Sequence, residues 1–154
     1  MPSTMIHLHL AYKINPNGCG DYFVGCLAPD FYNKDIDTSK KNSHLGLNFS
    51  RNPSDSFTIN ARISDFYAGI DKDNPFLMGY LVHLLCDWWY YDYIDKNNLF
   101  ENDEELINDW RLVGRQIRLN APWVKGCFKK MADCSDNLIY PFPEYTVSEV
   151  INLL

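Results

Sequence analysis

The sequence predicts an all-α fold, a compact multi-helix bundle, and three observations lead to this prediction. Apolar residues recur at helical spacing along most of the chain, whereas strand-like alternation is scarce. The run 76–93 is apolar or aromatic at nearly every position, which is typical of a helix buried on all sides. The chain has 154 residues, of which 46% are hydrophobic, and this length suffices for the core of one domain. We therefore expect a single domain over 1–154.

The N-terminal part of the chain predicts two helices and a long loop. The first helix, capped by Ser3 or Thr4, should run to about Ile14, where the turn NPNG ends it. A second helix is expected over 22–27, because the proline in CLAPDFY ends it. The segment 31–55 is rich in Asn, Asp, Ser and Lys and predicts a loop. Loops of this length inside compact domains tend to be functional or disordered.

Five more helices are expected after this loop. The second of them should open at Pro75, because proline suits the first turn of a helix. The third should begin at the acidic residues 103–105 and end in the arginine-rich segment 111–118, as the helix dipole favours. The expected ranges are 56–70, 75–93, 103–118, 123–131 and 147–153.

Charge and cysteine content narrow the function classes. The net charge of −6 and the pI near 5.0 argue against extended binding along nucleic-acid phosphates. We find no signal peptide and no apolar run of transmembrane length. The five cysteines are odd in number and form no CxxC pair. We therefore expect reduced thiols in a cytoplasmic protein.

The most informative pair is His83 and Asp87, four residues apart in the apolar run. Residues at this spacing share one helix face, so the imidazole and the carboxylate point the same way. A carboxylate in a core is costly unless something positive holds it. Gly79 lies one turn earlier and leaves space for another element or an ion. The pair therefore indicates either a metal site inside the bundle or a hydrogen-bonded His–Asp pair in the core.

The other histidines differ in the direction they should face. His7 and His9 lie about 200° apart around a helix, so both cannot point into one site. His7 shares a stripe with Leu10, Ala11 and Ile14 and is the inward candidate, whereas His9 should lie at the surface. The remaining two candidates are His44, which belongs to the loop segment KKNSHLG, and Asp30, which follows a proline at a helix end. Each of these two, taken singly, is more simply explained as an exposed loop or turn residue.

Taken together, these residues form a series that resembles the zinc-dependent phospholipase C family. The phrases that carry the resemblance are MIHLHLAYKI, YFVGCLAPDFY, NSHLG and GYLVHLLCDWW. This family is similar in fold to the fungal zinc-dependent single-strand nucleases. The resemblance covers about the first two thirds of the chain and supplies the metal ligands His7, Asp30, His44, His83 and Asp87.

The resemblance implies an all-α fold in which His83, Asp87, Asp30 and His44 surround one metal. It also implies that Asp87 bridges to a second metal bound by His7, and that Asp30 acts as the catalytic base. The family completes its second site with a processed N-terminal tryptophan, whereas this chain begins Met1–Pro2. No histidine follows His83, so the third site of the family should be absent, and we expect a shortened relative with one or two ions.

The ligand types agree with this expectation on chemical grounds. Imidazole nitrogens with carboxylate oxygens suit zinc, although manganese, iron or nickel could occupy the same set. The sequence thus predicts a metal-dependent hydrolase of small phosphate esters or phospholipid-like substrates, with phosphodiesters favoured over monoesters. The alternative is a helical binding module with a structural ion. The aromatic rings of 88–93 should mostly pack in the core, although they could line a ligand pocket.

Overall fold

Six α-helices make up most of the part of the chain that the structure, a computed structural model, describes. The described residues are 4–30, 43–47 and 56–134, and they contain no strand. The helices are α1 (Thr4–Ile14), α2 (Gly20–Leu27), α3 (Ser56–Gly69), α4 (Pro75–Asn97), α5 (Asp103–Asn120) and α6 (Trp123–Ala132), and a 3₁₀ turn (Ala28–Asp30) follows α2. The all-α prediction is confirmed.

Most helix ends lie within two residues of their predicted positions. The exception is α4, which continues to Asn97 and therefore exceeds the predicted apolar run by a full turn. The predicted helix at 147–153 lies outside the described residues, as does most of the predicted loop at 31–55. Of that loop only 43–47 is described, and it forms a turn in which Leu47 N–H donates to the carbonyl of His44 at 2.9 Å.

The start and end of α4 follow from its flanking residues. The side chain of Asn74 accepts hydrogen bonds from the backbone N–H groups of Phe76 and Leu77, and Pro75 occupies the first helical position. These contacts satisfy backbone donors that a helix leaves without partners at its N-terminus. Asn98 ends the helix in the left-handed conformation, with φ 47° and ψ 47°. The cap fixes the residue at which α4 begins, the helix that carries His83 and Asp87.

Two glycines let α2 and α4 touch backbone to backbone. A Cβ atom on Gly79 would lie 2.0 Å from the carbonyl oxygen of Tyr22, and one on Gly25 would lie 2.0 Å from the carbonyl oxygen of Phe76. Ordinary contacts of a Cβ begin at 3.4 Å, so a side chain at either position would force the two helix backbones apart. The space expected at Gly79 is therefore occupied by another helix, α2, rather than by an ion.

All six helices contribute to one hydrophobic core around α4. Fully buried members include Leu8 in α1, Phe23 in α2 and Leu84 in α4. The expected stripe on α1 is partly wrong, because Ile14 is 55% exposed at the helix end while Leu8 is buried. Within the described residues, none of the helices combines the length and the apolarity that crossing a membrane requires.

Candidate metal centre

The five residues singled out from the sequence meet in the interior, although they come from four segments of the chain. His7 lies on α1, Asp30 ends the 3₁₀ turn, His44 lies in the turn 43–47, and His83 and Asp87 share α4. His7, His83 and Asp87 are fully buried. His44 is 2% exposed, and the side chain of Asp30 is 14% exposed. Contrary to their simplest individual explanations, neither His44 nor Asp30 is a freely exposed loop residue.

One side of the cluster is a nearly equilateral triangle of ligand atoms. The Nε2 atoms of His44 and His83 lie 3.3 Å apart. Asp87 Oδ2 lies 3.4 Å from the first and 3.5 Å from the second. Asp30 Oδ1 completes the group at 3.9 Å from each imidazole. Ligands at about 2.0–2.1 Å from a tetrahedral zinc ion lie about 3.3–3.4 Å apart, so the triangle has the size that zinc requires.

The other side of the cluster uses the second oxygen of each carboxylate. His7 Nε2 lies 3.3 Å from Asp87 Oδ1 and 3.7 Å from Asp30 Oδ2. The His7 ring stacks on the His83 ring at 3.9 Å between centroids and 16° between planes. Both carboxylates are thus divided between His7 and the His44–His83 pair. This arrangement suits two ions bridged by the carboxylates. It also suits a single ion held by some of the five residues.

Supporting hydrogen bonds fix which ring nitrogens face the cluster. His83 Nδ1 lies 2.7 Å from the backbone carbonyl of Cys26 and must donate to it. Ser43 Oγ donates its hydrogen to the carbonyl of Pro29 at 2.9 Å, and therefore accepts from His44 Nδ1 at 2.9 Å. In the neutral form each ring then turns its Nε2 lone pair inwards. Metal-binding histidines usually donate their other nitrogen in this way.

Several polar atoms of the cluster are buried and form no hydrogen bond within the part of the chain that the structure describes. They are both ring nitrogens of His7, Oδ1 of Asp30 and both oxygens of Asp87. Buried donors and acceptors without partners are rare in folded proteins, since each costs free energy. Two sets of three ligand atoms lie within 4.8 Å of one another, His7 with Asp30 and His83, and His44 with His83 and Asp87. The residues present therefore fit a metal ion in charge, size and ligand type.

Burial and the close packing of the cluster residues shift the pKa values of three of them. Burial disfavours a charged His83, but Asp30 and Asp87 outweigh it and raise its pKa above the usual 6.5. Burial and the neighbouring His83 lower the pKa of His7. Burial alone would raise the pKa of Asp87, but His83, His44 and His7 hold it well below its usual value. Asp87 is therefore ionised and needs a cation, whether a protonated imidazole or a metal.

Three supporting groups were missed by sequence reasoning. Ser43 orients His44, the backbone carbonyl of Cys26 orients His83, and the hydroxyl of Tyr80 donates to the carbonyl of Ser43. The serine next to His44 was visible in NSHLG, although adjacency alone does not predict a hydrogen bond. No sequence signal identifies a backbone carbonyl from another helix.

Two expectations for nearby residues need correction or refinement. His9 is half-buried against Trp123, with 5.6 Å between ring centroids, rather than at the surface. It nevertheless lies outside the cluster, as its angle on α1 requires. Core packing was predicted for most rings of 88–93 and holds for Trp88, Tyr90 and Tyr91, whereas Trp89 is 54% exposed and Tyr93 61% exposed. Tyr91 alone is buried, one turn after Asp87.

No protein-family profile, curated protein or solved structure matches this chain. The resemblance to the zinc-dependent phospholipase C family therefore rests on the residues themselves and stays a prediction.

Proposed function

We propose that this protein is a metal-dependent hydrolase of phosphate esters, with phosphodiesters favoured over monoesters. One observation carries the proposal: three imidazoles and two carboxylates converge in the interior, and supporting hydrogen bonds turn the lone pairs of two of the imidazoles inwards. Zinc is the favoured ion, as one or two equivalents, and manganese, iron or nickel would suit the same ligands. The ligand series of the zinc-dependent phospholipase C family supports the same assignment.

The residues divide into ligands and a base. His44, His83 and Asp87 would hold one ion, and His7 with the other oxygen of Asp87 would hold a second. When bound, such an ion supplies a Lewis acid that activates water and neutralises charge on the phosphoryl oxygens.

Asp30 is the residue we assign as the general base. It is the most exposed of the five, so it lies on the side of the cluster nearest to solvent, from which a substrate would approach. Its oxygens lie 3.7–3.9 Å from the imidazoles, whereas those of Asp87 lie 3.3–3.5 Å away. A carboxylate held less closely keeps a lone pair free to take a proton from the attacking water.

The substrate we propose is a small phosphate ester or a phospholipid-like headgroup. The net charge of −6 would repel a long polyanion more strongly than a compact ester. The five cysteines are all free thiols, which supports our proposal of a cytoplasmic location.

The test measures turnover of bis(p-nitrophenyl) phosphate and p-nitrophenyl phosphate by the zinc-loaded full-length chain. Asp30→Asn should lower turnover by about 10²-fold or more while zinc content, measured by mass spectrometry, stays unchanged. Asp65→Asn on the exposed face of α3 removes the same charge away from the cluster and serves as the matched control. Equal activity of the Asp30 and Asp65 variants would refute the base assignment, and no turnover of any ester would refute the hydrolase.

A structural ion is the second candidate, and the burial of four ligands favours it. His7, His83 and Asp87 are fully buried and His44 is nearly so, as in sites where protein atoms fill every coordination position. Cobalt(II) substitution separates the two candidates. An absorption spectrum that changes when inorganic phosphate is added indicates an open position and supports catalysis. A spectrum that phosphate leaves unchanged, together with no ester turnover, supports the structural ion.

A further inference from the structure

A second candidate site lies outside the metal cluster, in a groove between the start of α1 and the second half of α5. Its volume is about 310 Å³, and its walls include Thr4 and Met5 on one side and Trp110, Arg111, Arg115 and Arg118 on the other. We call it the arginine groove. A volume of this order corresponds to a small organic ligand, since ligand pockets usually start at about 300 Å³.

The three arginines form one row of positive charge. They occupy positions i, i+4 and i+7 of α5, so they share a face and span about 10 Å along the helix. All three are exposed. Among the residues that the structure describes, none of the three guanidinium groups forms an ion pair or a hydrogen bond. Three unpaired arginines in two turns are notable in a chain of net charge −6.

The helix dipole accounts for only one of these arginines. Arg118 lies in the last turn of α5, where a positive charge stabilises the helix. Arg111 and Arg115 lie further from the end, beyond the range over which the dipole acts. Their placement on the groove therefore needs another explanation, and charge complementarity to an anion supplies it. Guanidinium groups bind phosphate through two parallel hydrogen bonds, which gives both affinity and orientation.

The groove also has a rigid apolar wall. The indole N–H of Trp110 donates to the hydroxyl of Tyr90 at 2.7 Å, and its ring meets Tyr91 edge to face at 6.3 Å and 90°. These two contacts hold the indole in place before any ligand arrives, which lowers the entropic cost of binding. The side chain of Met5, half-buried on α1, adds a polarizable surface that adapts to a ligand. An apolar wall beside a guanidinium row matches a ligand with an organic body and an anionic end.

We propose that the arginine groove binds a small organic diphosphate, with its two phosphate groups along Arg111, Arg115 and Arg118 and its organic body against Trp110 and Met5. Two linked phosphates are favoured over one because the row is longer than a single phosphate group. This site uses none of the five cluster residues, so it stands or falls independently of the proposed hydrolase.

The test is isothermal titration calorimetry on the full-length, zinc-loaded chain, with ADP as the probe and pyrophosphate and adenosine as its two halves. ADP should bind with a dissociation constant on the order of 10–100 μM at low salt, and more weakly as salt is added. Pyrophosphate should bind more weakly than ADP, and adenosine should not bind measurably.

Two sets of substitutions test whether ADP binds in the arginine groove. The triple variant Arg111→Gln, Arg115→Gln and Arg118→Gln should weaken ADP binding by about tenfold or more. The matched control replaces Arg62, Lys125 and Lys129 by glutamine, which removes the same charge from exposed positions on other helices. The control should keep the affinity within about twofold. All six positions are exposed, so both variants should fold, and circular dichroism confirms this.

Each contrary outcome overturns a defined part of the proposal. Equal losses in the triple variant and its control would show a net-charge effect without a site. Loss of ADP binding after zinc is chelated, in a chain that circular dichroism shows to be still folded, would place the ligand at the metal cluster instead. If pyrophosphate binds as tightly as ADP, the organic part of the ligand makes no contribution, and the groove binds an inorganic phosphate chain. No binding of any probe up to about 1 mM would overturn the proposal outright.

Discussion

Replacing Gly79 by alanine should destabilise the protein strongly, because the new methyl group would point into the backbone of α2. The Cβ atom would lie 2.0 Å from the carbonyl oxygen of Tyr22 and 2.8 Å from the amide nitrogen of Cys26. Both atoms belong to the helix backbone, which cannot rotate away as a flexible side chain can. The 2.0 Å contact must widen to at least the 3.4 Å of ordinary contact, so α2 and α4 must separate along their whole interface.

The expected magnitude follows from two opposing terms. Overpacking a core costs about 3 kcal/mol at the upper end of the usual range, and a rigid backbone contact belongs at that end. Alanine in place of a helical glycine returns about 1 kcal/mol through helix propensity. We therefore expect Gly79→Ala to lower the free energy of unfolding by about 2 kcal/mol. Zinc affinity should fall too, since displacing α2 moves the Cys26 carbonyl that orients His83.

Gly126→Ala provides the matched control. Gly126 is also helical, in α6, but a Cβ there meets nothing within 4 Å. The free energy of unfolding of this variant should rise by up to about 1 kcal/mol, and its zinc affinity should be unchanged. Urea unfolding measures the stability of both variants, and competition with a chromophoric chelator measures their zinc affinity. If both alanines stabilise the chain equally, the backbone contact between α2 and α4 is refuted.

Three further predictions concern the support of the site, the cap of α4 and pH. Ser43→Ala should weaken zinc binding by about 10- to 100-fold, because His44 loses the acceptor of its Nδ1 proton; unchanged affinity in chelator competition would contradict this. Asn74→Ala should lower the free energy of unfolding by about 1 kcal/mol in urea, because α4 loses its N-terminal cap. Burial raises the pKa of Cys86 to about 12 and that of Cys26 well above 9.0. As pH rises, the thiols of the unfolded chain lose their protons before those of the folded chain, and this stabilises the unfolded chain. The contribution of the two thiols to the free energy of unfolding should therefore be constant below pH 9.0 and fall between pH 9.0 and about 12. Urea unfolding with a reductant measures this fall, and a constant free energy across that window would contradict it.

The local parts of the fold could be read from the sequence because their causes are local. Asn74 and Pro75 mark the start of α4, and the spacing of His83 and Asp87 places both on one face. The choice of His7 over His9 also needed only the 100° turn per residue. These features depend on residues within one or two turns of each other, and the structure agrees with them.

The rest depends on contacts between distant segments. Nothing near Gly79 in sequence shows that α2 fills the space beside it. An apolar run also does not reveal which of its residues neighbouring helices cover, so the sequence could not single out Trp89 and Tyr93 as the two exposed rings of 88–93. His44 is buried because it packs against His83, a residue 39 positions later in the chain. The Nε2 atoms of the two rings lie 3.3 Å apart. Only the resemblance to a known ligand series suggested that these two meet.

The dispersal of the five cluster residues over four segments has a consequence for when the chain could take up the proposed metal ion. In the unfolded chain only His83 and Asp87 are neighbours, so the polypeptide offers at most a weak two-atom chelate. The full set exists only after α1, the 3₁₀ turn that carries Asp30, the turn at 43–47 and α4 have assembled. An ion that binds the folded form alone shifts the equilibrium towards that form. If the proposed ion binds, newly made chains should acquire it last, and cells short of that metal should accumulate the protein in a form that proteases degrade more readily.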